Sequence, residues 1–315
     1  MQRVGWIAPR GHWARIAACA IAFHAVVSPA GAQATRASAG TLARIRQASQ
    51  VKFGYRVDAR PFAFRDESGN ATGFAVAMCL EVADALKGEL GLPALKVQWV
   101  PVSVEDRFNA VQQGKVDLLC GGDAPSVARR KVVAFSTPIF PDGISALVRK
   151  DAVPTLREVL SGVRSTDPSW RASAGALLSK QTFSFVTGSA AQDWLRSKAT
   201  EFQLTTEMVP TDGYETGARR VLDHVASVFF GDRAMLLDAA RRSPQPDKLM
   251  VIERRYTQEP LALALARGDE DFRLFVDRAL SKFYGSLEIK ALYGKWFGAP
   301  DAGALIFYQW STVPE

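Results

Sequence analysis

CGGDAPSVARRKVVAFSTPIF, residues 120–140, sets two glycines, an aspartate, a proline, a serine and an arginine between two runs that read as strands. The apolar VDLLC (116–120) before it reads as a buried strand, so the polar turn falls at a strand end. Ser126 can cap a short helix, which puts Arg129 at its third position. Free backbone amides and a guanidinium then meet at one point, as a small anion requires. A capped turn with no ligand is the plainer reading of the same residues.

Outward from this turn, strands and helices alternate. A short helix (41–49) precedes strand VKFGYRV (51–57), and Ser68-Gly69-Asn70 marks a hairpin. An amphipathic helix over 75–90 carries Val76, Leu80, Ala83 and Leu86 to Leu90, and strand KVQWVPV (96–102) follows. A helix over 105–113 stops at Gly114. A β-α-β-α-β order of this kind implies a parallel sheet. After Phe140 a second unit starts with GISALVRK (143–150) and a helix near 156–160. TFSFV (182–186), a helix over 190–197, a strand near 205–209 and a helix near 216–222 come next. ASVFFGD (226–232), helix RAMLLDAARR and LMVIE complete that unit. The chain returns with LALALA (261–266) and a helix capped by Asp269 or Asp271 that carries Phe272, Phe275, Val276, Leu280 and Phe283. A last helix ends in LYGKWFG.

In open α/β sheets, ligands bind beyond the carboxyl ends of the strands. Four such loops carry suggestive residues: Arg56 with Pro61 and Phe62; Gly122 in the turn with Arg129; Ser189, which with Gln192 forms an S-x-x-Q capping box; and Asp232 in FFGDRAML. Each has a bland alternative, a surface arginine or a helix cap, and Asp232 could hold an ammonium or cap the next helix. Together they offer cations and helix starts for a carboxylate and one aspartate for an amine, the pattern of a small zwitterion such as an α-amino acid.

Of the 315 residues, 48% are hydrophobic and 23% charged, enough for two ordinary domains. MQRVGWIAPRGHWAR holds Arg3, Arg10 and Arg15 and no acid, and an apolar run, Ile16 to Val27, and Ala30-Gly31-Ala32 follow. This is the layout of a secretory signal peptide, expected to be cleaved after Ala32, with Ala34 as second choice. Ile16-Ala17-Ala18-Cys19 resembles a lipobox, but the apolar run comes after its cysteine. The net charge of +7 includes the three signal arginines and stands at +4 without them, with both signs interspersed, so no nucleic-acid partner is expected. Cys79 and Cys120 are the two cysteines left, and an exported chain suggests one disulfide, with two buried thiols as the alternative. With His224 the sole remaining histidine, no zinc site and no cofactor are expected.

The segments G-x-R-x4-P-F (Gly54, Arg56, Pro61, Phe62), C-G-x7-R-x-K (Cys120, Gly121, Arg129, Lys131) and A-F-S-x2-I-F (Ala134 to Phe140) carry a resemblance to a known family. The chain is similar to the polar amino-acid-binding periplasmic solute receptors of ABC transporters, most of all their glutamate/aspartate-binding group. The resemblance implies an α/β fold of type II periplasmic-binding-protein architecture: two lobes, each a mainly parallel sheet flanked by helices, joined by two crossings and closing by a hinge. Residues 33–142 with 257–315 would form lobe 1 and 143–256 lobe 2, the crossings lying near 138–143 and 256–262. Arg129 and Ser189 would bind the ligand α-carboxylate, Asp232 its ammonium, and Arg56 a side-chain carboxylate. The expected product is a monomeric periplasmic receptor that delivers its ligand to membrane permease and ATPase subunits. Departures from the pattern bear on the ligand: Ala124 stands where a hydroxyl residue is usual, Asp123 beside it would repel an anion unless paired, Ala77 replaces an acid, and Gly213 or Tyr214 stands at a histidine position. An exported enzyme of the same fold, resembling cyclohexadienyl dehydratase, is the rival reading. Its general acid would have to come from Asp58, Asp123, Glu215 or Asp232.

Overall fold

The computed structural model describes residues 40–163 and 170–314, and the expected signal segment, 1–32, lies outside them. In chain order, α1 (Thr41–Ala48) leads to β1 (Gln50–Tyr55), to a small antiparallel sheet of β2 (Asp58–Ala59), β3 (Ala63–Arg65) and β4 (Ala71–Thr72), and to α2 (Phe74–Leu90). Next come β5 (Lys96–Pro101), α3 (Arg107–Gln112), β6 (Leu118–Asp123), α4 (Val127–Arg130), β7 (Ala134–Asp142) and β8 (Ile144–Arg149). Helices α5 (Pro154–Ser161) and α6 (Trp170–Ser179) precede β9 (Thr182–Val186), α7 (Ala190–Glu201), β10 (Glu207–Thr211), α8 (Tyr214–Leu222), β11 (Val228–Asp232) and α9 (Arg233–Arg242). The chain ends through β12 (Leu249–Val251), β13 (Glu259–Leu265), α10 (Glu270–Tyr284), α11 (Glu288–Phe297) and α12 (Ala302–Ser311).

Two five-stranded sheets result, in the orders β5-β1-β6-β13-β7 and β10-β9-β11-β8-β12. Within each, four strands run one way and one is reversed, β13 in the first and β8 in the second. The reversed strands belong to the two segments that carry the chain between sheets. The first passage is made at Gly143, directly between β7 and β8. The second spans residues 252–258, which starts earlier than the 256 expected from sequence.

The passages are bonded to each other. Ile144 N–H donates to the Thr257 hydroxyl at 2.9 Å, and Tyr256 N–H donates to the Ile144 carbonyl at 2.8 Å. A Cβ built on Gly143 would lie 2.0 Å from the Thr257 carbonyl oxygen, so the two strands cross at a spacing that leaves no room for a side chain.

Helix α2 shows why the first sheet is covered. Ala75, Met78, Cys79, Val82, Ala83 and Leu86 recur at three- and four-residue spacing, and all are buried. Gly91, in the left-handed region at φ 66°, ends the helix and donates its N–H to the Gly88 carbonyl. Cys79 on this helix is bonded to Cys120 on β6, with Cα atoms 6.0 Å apart. The disulfide anchors the strand one residue before its glycine pair. Beside it the rings of Phe62, Phe74, Phe140 and Phe297 pack edge-on or tilted, and Phe62 is fully enclosed.

Three local expectations change. Strand β6 continues to Asp123 instead of stopping at Cys120, because β13 pairs with it as far as Ala262 opposite Asp123. Helix α6 was not expected between α5 and β9. Nor does the chain end at the LYGKWFG helix: α12 follows, capped by Asp301, which accepts the Ala304 N–H at 2.7 Å. Its Tyr308 hydroxyl donates to the Ile139 carbonyl at 3.1 Å, tying the C-terminus to β7.

Candidate functional site

The carboxyl ends of β1 and β6 in one sheet, and of β9 and β11 in the other, bring the expected residues to the face between the sheets. At the end of β6 the turn is built as its residues suggest. The Ser126 hydroxyl accepts the Arg129 N–H at 3.1 Å, and the guanidinium folds back to donate to the Ala124 carbonyl at 2.9 Å. The main chain at Ala124 therefore supplies the oxygen that orients Arg129, although its side chain has none. Among the described residues Arg129 makes no ion pair, and its charge faces Phe108, whose ring centre lies 5.6 Å away.

Asp123 is buried and does not stand alone. Arg107, at the start of α3, donates its Nε to Asp123 at 2.6 Å, its Nη1 to the Val104 carbonyl, and its Nη2 to the Gly188 carbonyl at 3.4 Å. Burial holds the Arg107 guanidinium below its ordinary range, with Asp123 opposing that pull. Sequence reading missed Arg107, which lies 16 residues before its partner and in no strand-end loop. The signal available was a charged residue on the inner face of a short helix beside an unpaired acid.

Arg56 is 7% exposed and forked onto Asp58, with Nε at 3.1 Å from one carboxylate oxygen and Nη2 at 2.9 Å from the other. Burial works against its charge, but Asp58 and the neighbouring acids outweigh it and leave Arg56 still harder to deprotonate. Phe62, expected beside it as a ligand contact, is enclosed in the aromatic cluster. Gly122 sits against it: a Cβ at that glycine would come within 2.9 Å of the Phe62 ring.

On the other sheet Ser189 caps α7. Its hydroxyl accepts the Gln192 N–H at 3.2 Å and keeps its own proton to donate, while the Gln192 side chain accepts the Gly188 N–H at 2.7 Å. Asp232 precedes α9, yet it makes no side-chain bond to that helix. Asp142, at the end of β7, accepts the Ala234 N–H at 3.2 and 3.4 Å in its place. Burial, and then the charge of Asp232, push the Asp142 carboxyl up to about 8.

With the cap supplied from elsewhere, the Asp232 carboxylate is left to the interface. One of its oxygens accepts the Tyr214 hydroxyl proton at 2.7 Å, and the Asp232 N–H donates back to the same hydroxyl at 3.0 Å. Burial pushes the pKa of Asp232 above the ordinary carboxylate range, while the Tyr214 bond and the charges of Arg129 and Arg56 pull it down. Those two arginines belong to the other sheet, so opposed charges from both sheets act on one another here. Tyr214 is the second residue whose part sequence reading did not assign.

The two sides also touch through Arg60 and Asp238, 3.5 Å apart, and through the Arg107 to Gly188 bond. A groove of about 700 Å³ opens beside this pair, bordered by Asp58, Arg60 and Arg65 on one side and Tyr214, Glu215 and Asp238 on the other. Among the described residues no cluster of histidine, cysteine, aspartate and glutamate could hold a metal ion.

Relatives agree with this architecture. An L-glutamate/L-aspartate-binding protein of Pseudomonas aeruginosa is 26% identical over 262 residues, 83% of this chain and 81% of its own. The L-cystine-binding protein TcyJ of Escherichia coli is 25% identical over 264 residues, 84% of this chain and 88% of its own. Among solved structures, an ancestral amino-acid-binding protein described as a precursor of cyclohexadienyl dehydratase superposes with a TM-score of 0.66 at 24% identity, covering 82% of this chain and all of its own. The cysteine-binding protein of Campylobacter jejuni superposes with a TM-score of 0.65 at 21% identity, covering 84% and 96%. The two-lobed fold of periplasmic binding proteins is thus the fold of this chain. The model of the bacterial extracellular solute-binding proteins, family 3, matches residues 51–299, and the chain belongs to that family.

Proposed function

We propose that the protein is a periplasmic receptor that captures a small amino acid between its lobes and delivers it to the membrane subunits of an ABC importer. In this reading residues 33–142 and 257–315 form one lobe and 143–256 the other, and the signal peptide is removed after Ala32. The observation that carries it is the pairing of Arg129 with Asp232 across the interface: one guanidinium and one carboxylate, from different sheets, neither in an ion pair among the described residues. An α-amino acid presents the complementary charges a few ångströms apart. Its carboxylate would take Arg129 and the free proton of Ser189, and its ammonium would take Asp232. Ligand held by both lobes stabilises the closed state by as much as it binds that state better.

The names of the relatives support an amino acid as the solute class. The dehydratase reading has less to rest on, because Asp58 and Asp123 are bound to arginines, Glu215 is exposed and Asp232 is engaged by the Tyr214 hydroxyl. The test is a thermal-shift and calorimetric screen of the refolded, ligand-stripped protein against the amino acids, cystine and prephenate. A ligand at a thousandfold excess over its Kd adds about 4 kcal/mol of stability. Binding of an amino acid that Arg129→Ala and Asp232→Asn each abolish is the expected result. No response to any amino acid would overturn the reading, and turnover of prephenate would replace it with the enzyme.

A further inference from the structure

The cleft holds three arginines, Arg56, Arg107 and Arg129, and the chain itself supplies carboxylates to two of them. We propose that this site takes an α-amino acid with no carboxylate on its side chain, and that Asp58 and Asp123 act as built-in counter-ions that exclude glutamate and aspartate. The inference rests on the amino-acid reading above and narrows it.

Arg107 has no free side-chain nitrogen. Nε goes to Asp123, Nη1 to Val104 and Nη2 to Gly188, and the side chain is 4% exposed. A ligand carboxylate could reach it only by displacing Asp123, which would leave an unpaired carboxylate buried beside a second negative group. Arg56 spends Nε and one Nη on both oxygens of Asp58, the two-point geometry a ligand carboxylate would otherwise occupy.

The backbone is shaped for this arrangement. The free Oδ2 of Asp123 lies 2.8 Å from where a Cβ of Gly121 would stand, so the glycine makes the space into which the carboxylate folds. Glu259, at the start of β13, is pushed toward its neutral form by burial and then by the charge of Asp232, with Arg129 opposing that pull.

Of the three cleft arginines only Arg129 is left without a carboxylate from the chain, and Asp232 faces it from the other sheet. That matches the backbone of a zwitterion and leaves neither Arg56 nor Arg107 open to an additional negative charge. A neutral polar side chain can use the groove beside Asp58 and Tyr214 without displacing either counter-ion. The likeness to the glutamate/aspartate-binding protein therefore does not extend to its ligand. The arginine at position 56 is present, but its partner is already in the chain.

The experiment is a competition series on the refolded, ligand-stripped mature protein, covering the amino acids and cystine, with the pairs glutamine/glutamate and asparagine/aspartate compared directly. The tightest ligand should lack a side-chain carboxylate, with glutamate and aspartate at least about tenfold weaker, the factor one unpaired exposed charge can impose. Glutamate or aspartate as the tightest ligand would overturn this inference and leave the amino-acid reading intact. Silence across all amino acids would overturn that reading and this inference together. The variants Asp123→Asn and Asp58→Asn keep shape and remove the counter-charge. In each, the ratio of acidic to neutral ligand affinity should rise by about tenfold or more. Asp58, with a half-exposed side chain, serves where Asp123→Asn fails to fold. An unchanged ratio in a folded Asp58→Asn protein would refute the counter-ion role.

Discussion

Tyr214→Phe isolates one oxygen at the centre of the site. The Tyr214 hydroxyl donates to the Asp232 carboxylate at 2.7 Å and accepts the Asp232 N–H at 3.0 Å, and both residues are buried. The phenylalanine ring keeps the same packing against Gly231, whose added Cβ would lie 2.7 Å from it, so the change reads the hydroxyl and little else. Its loss orphans a buried N–H, at a cost of about 1–3 kcal/mol, and removes a charge-assisted bond worth about 1.5–3 kcal/mol. The same hydroxyl serves both, so the expected loss of stability is about 3 kcal/mol, within a range of roughly 2 to 5.

A second effect falls on binding. The Tyr214 bond is what most opposes burial at Asp232, so without it the carboxyl holds its proton to higher pH. An ammonium needs the ionised form, so affinity for an amino acid rises with pH through the Asp232 titration, and that rise should move upward in the variant. Urea unfolding with an unchanged m-value gives the first quantity, and calorimetric titration from about pH 4 to about pH 8 gives the second. A stability change under about 0.5 kcal/mol together with an unmoved pH profile would refute the reasoning.

Gly143→Ala forces a Cβ against the Thr257 carbonyl, a backbone atom that cannot rotate away. A loss of about 1–3 kcal/mol or more is expected in urea unfolding, and a variant as stable as wild type would contradict the crossing geometry. Reducing the Cys79–Cys120 bond opens a loop with a sequence separation of 41, so stability should fall by about 4 kcal/mol, read as a shift in urea midpoint with and without a strong reductant. Burial and the charge of Asp232 push the Asp142 carboxyl up to about 8 from its ordinary 3.8, so its contribution to stability is full below 3.8 and is lost as pH rises toward 8. Asp142→Asn should remove this loss, and wild-type and variant stabilities that run parallel with pH would exclude the shift.

Some of this was legible along the chain because it depends on near neighbours. Ser126 and Ser189 bind amides three residues ahead, and the Gly69 turn and the Gly114 stop follow from local backbone preference. The part played by Asp232 was not legible in this way. Its position before a helix suits a cap, and only the arrival of Asp142, 92 residues before the Ala234 amide it binds, assigns the cap elsewhere and leaves Asp232 for the cleft. Likewise Asp123 read as an obstacle to an anion until Arg107 was placed against it.

What the sequence by itself determined is the order of strands and helices apart from α6 and α12, the loops at the strands' carboxyl ends, and the identity of two cysteines that could pair. These are set by apolar periodicity, glycine and cap positions and composition, all properties of short stretches or of counts. The tertiary structure decided which charges are spent and which remain. A charge's partner is chosen by distance and burial across the fold, and in a buried site each pairing removes a ligand's option as surely as a missing residue would.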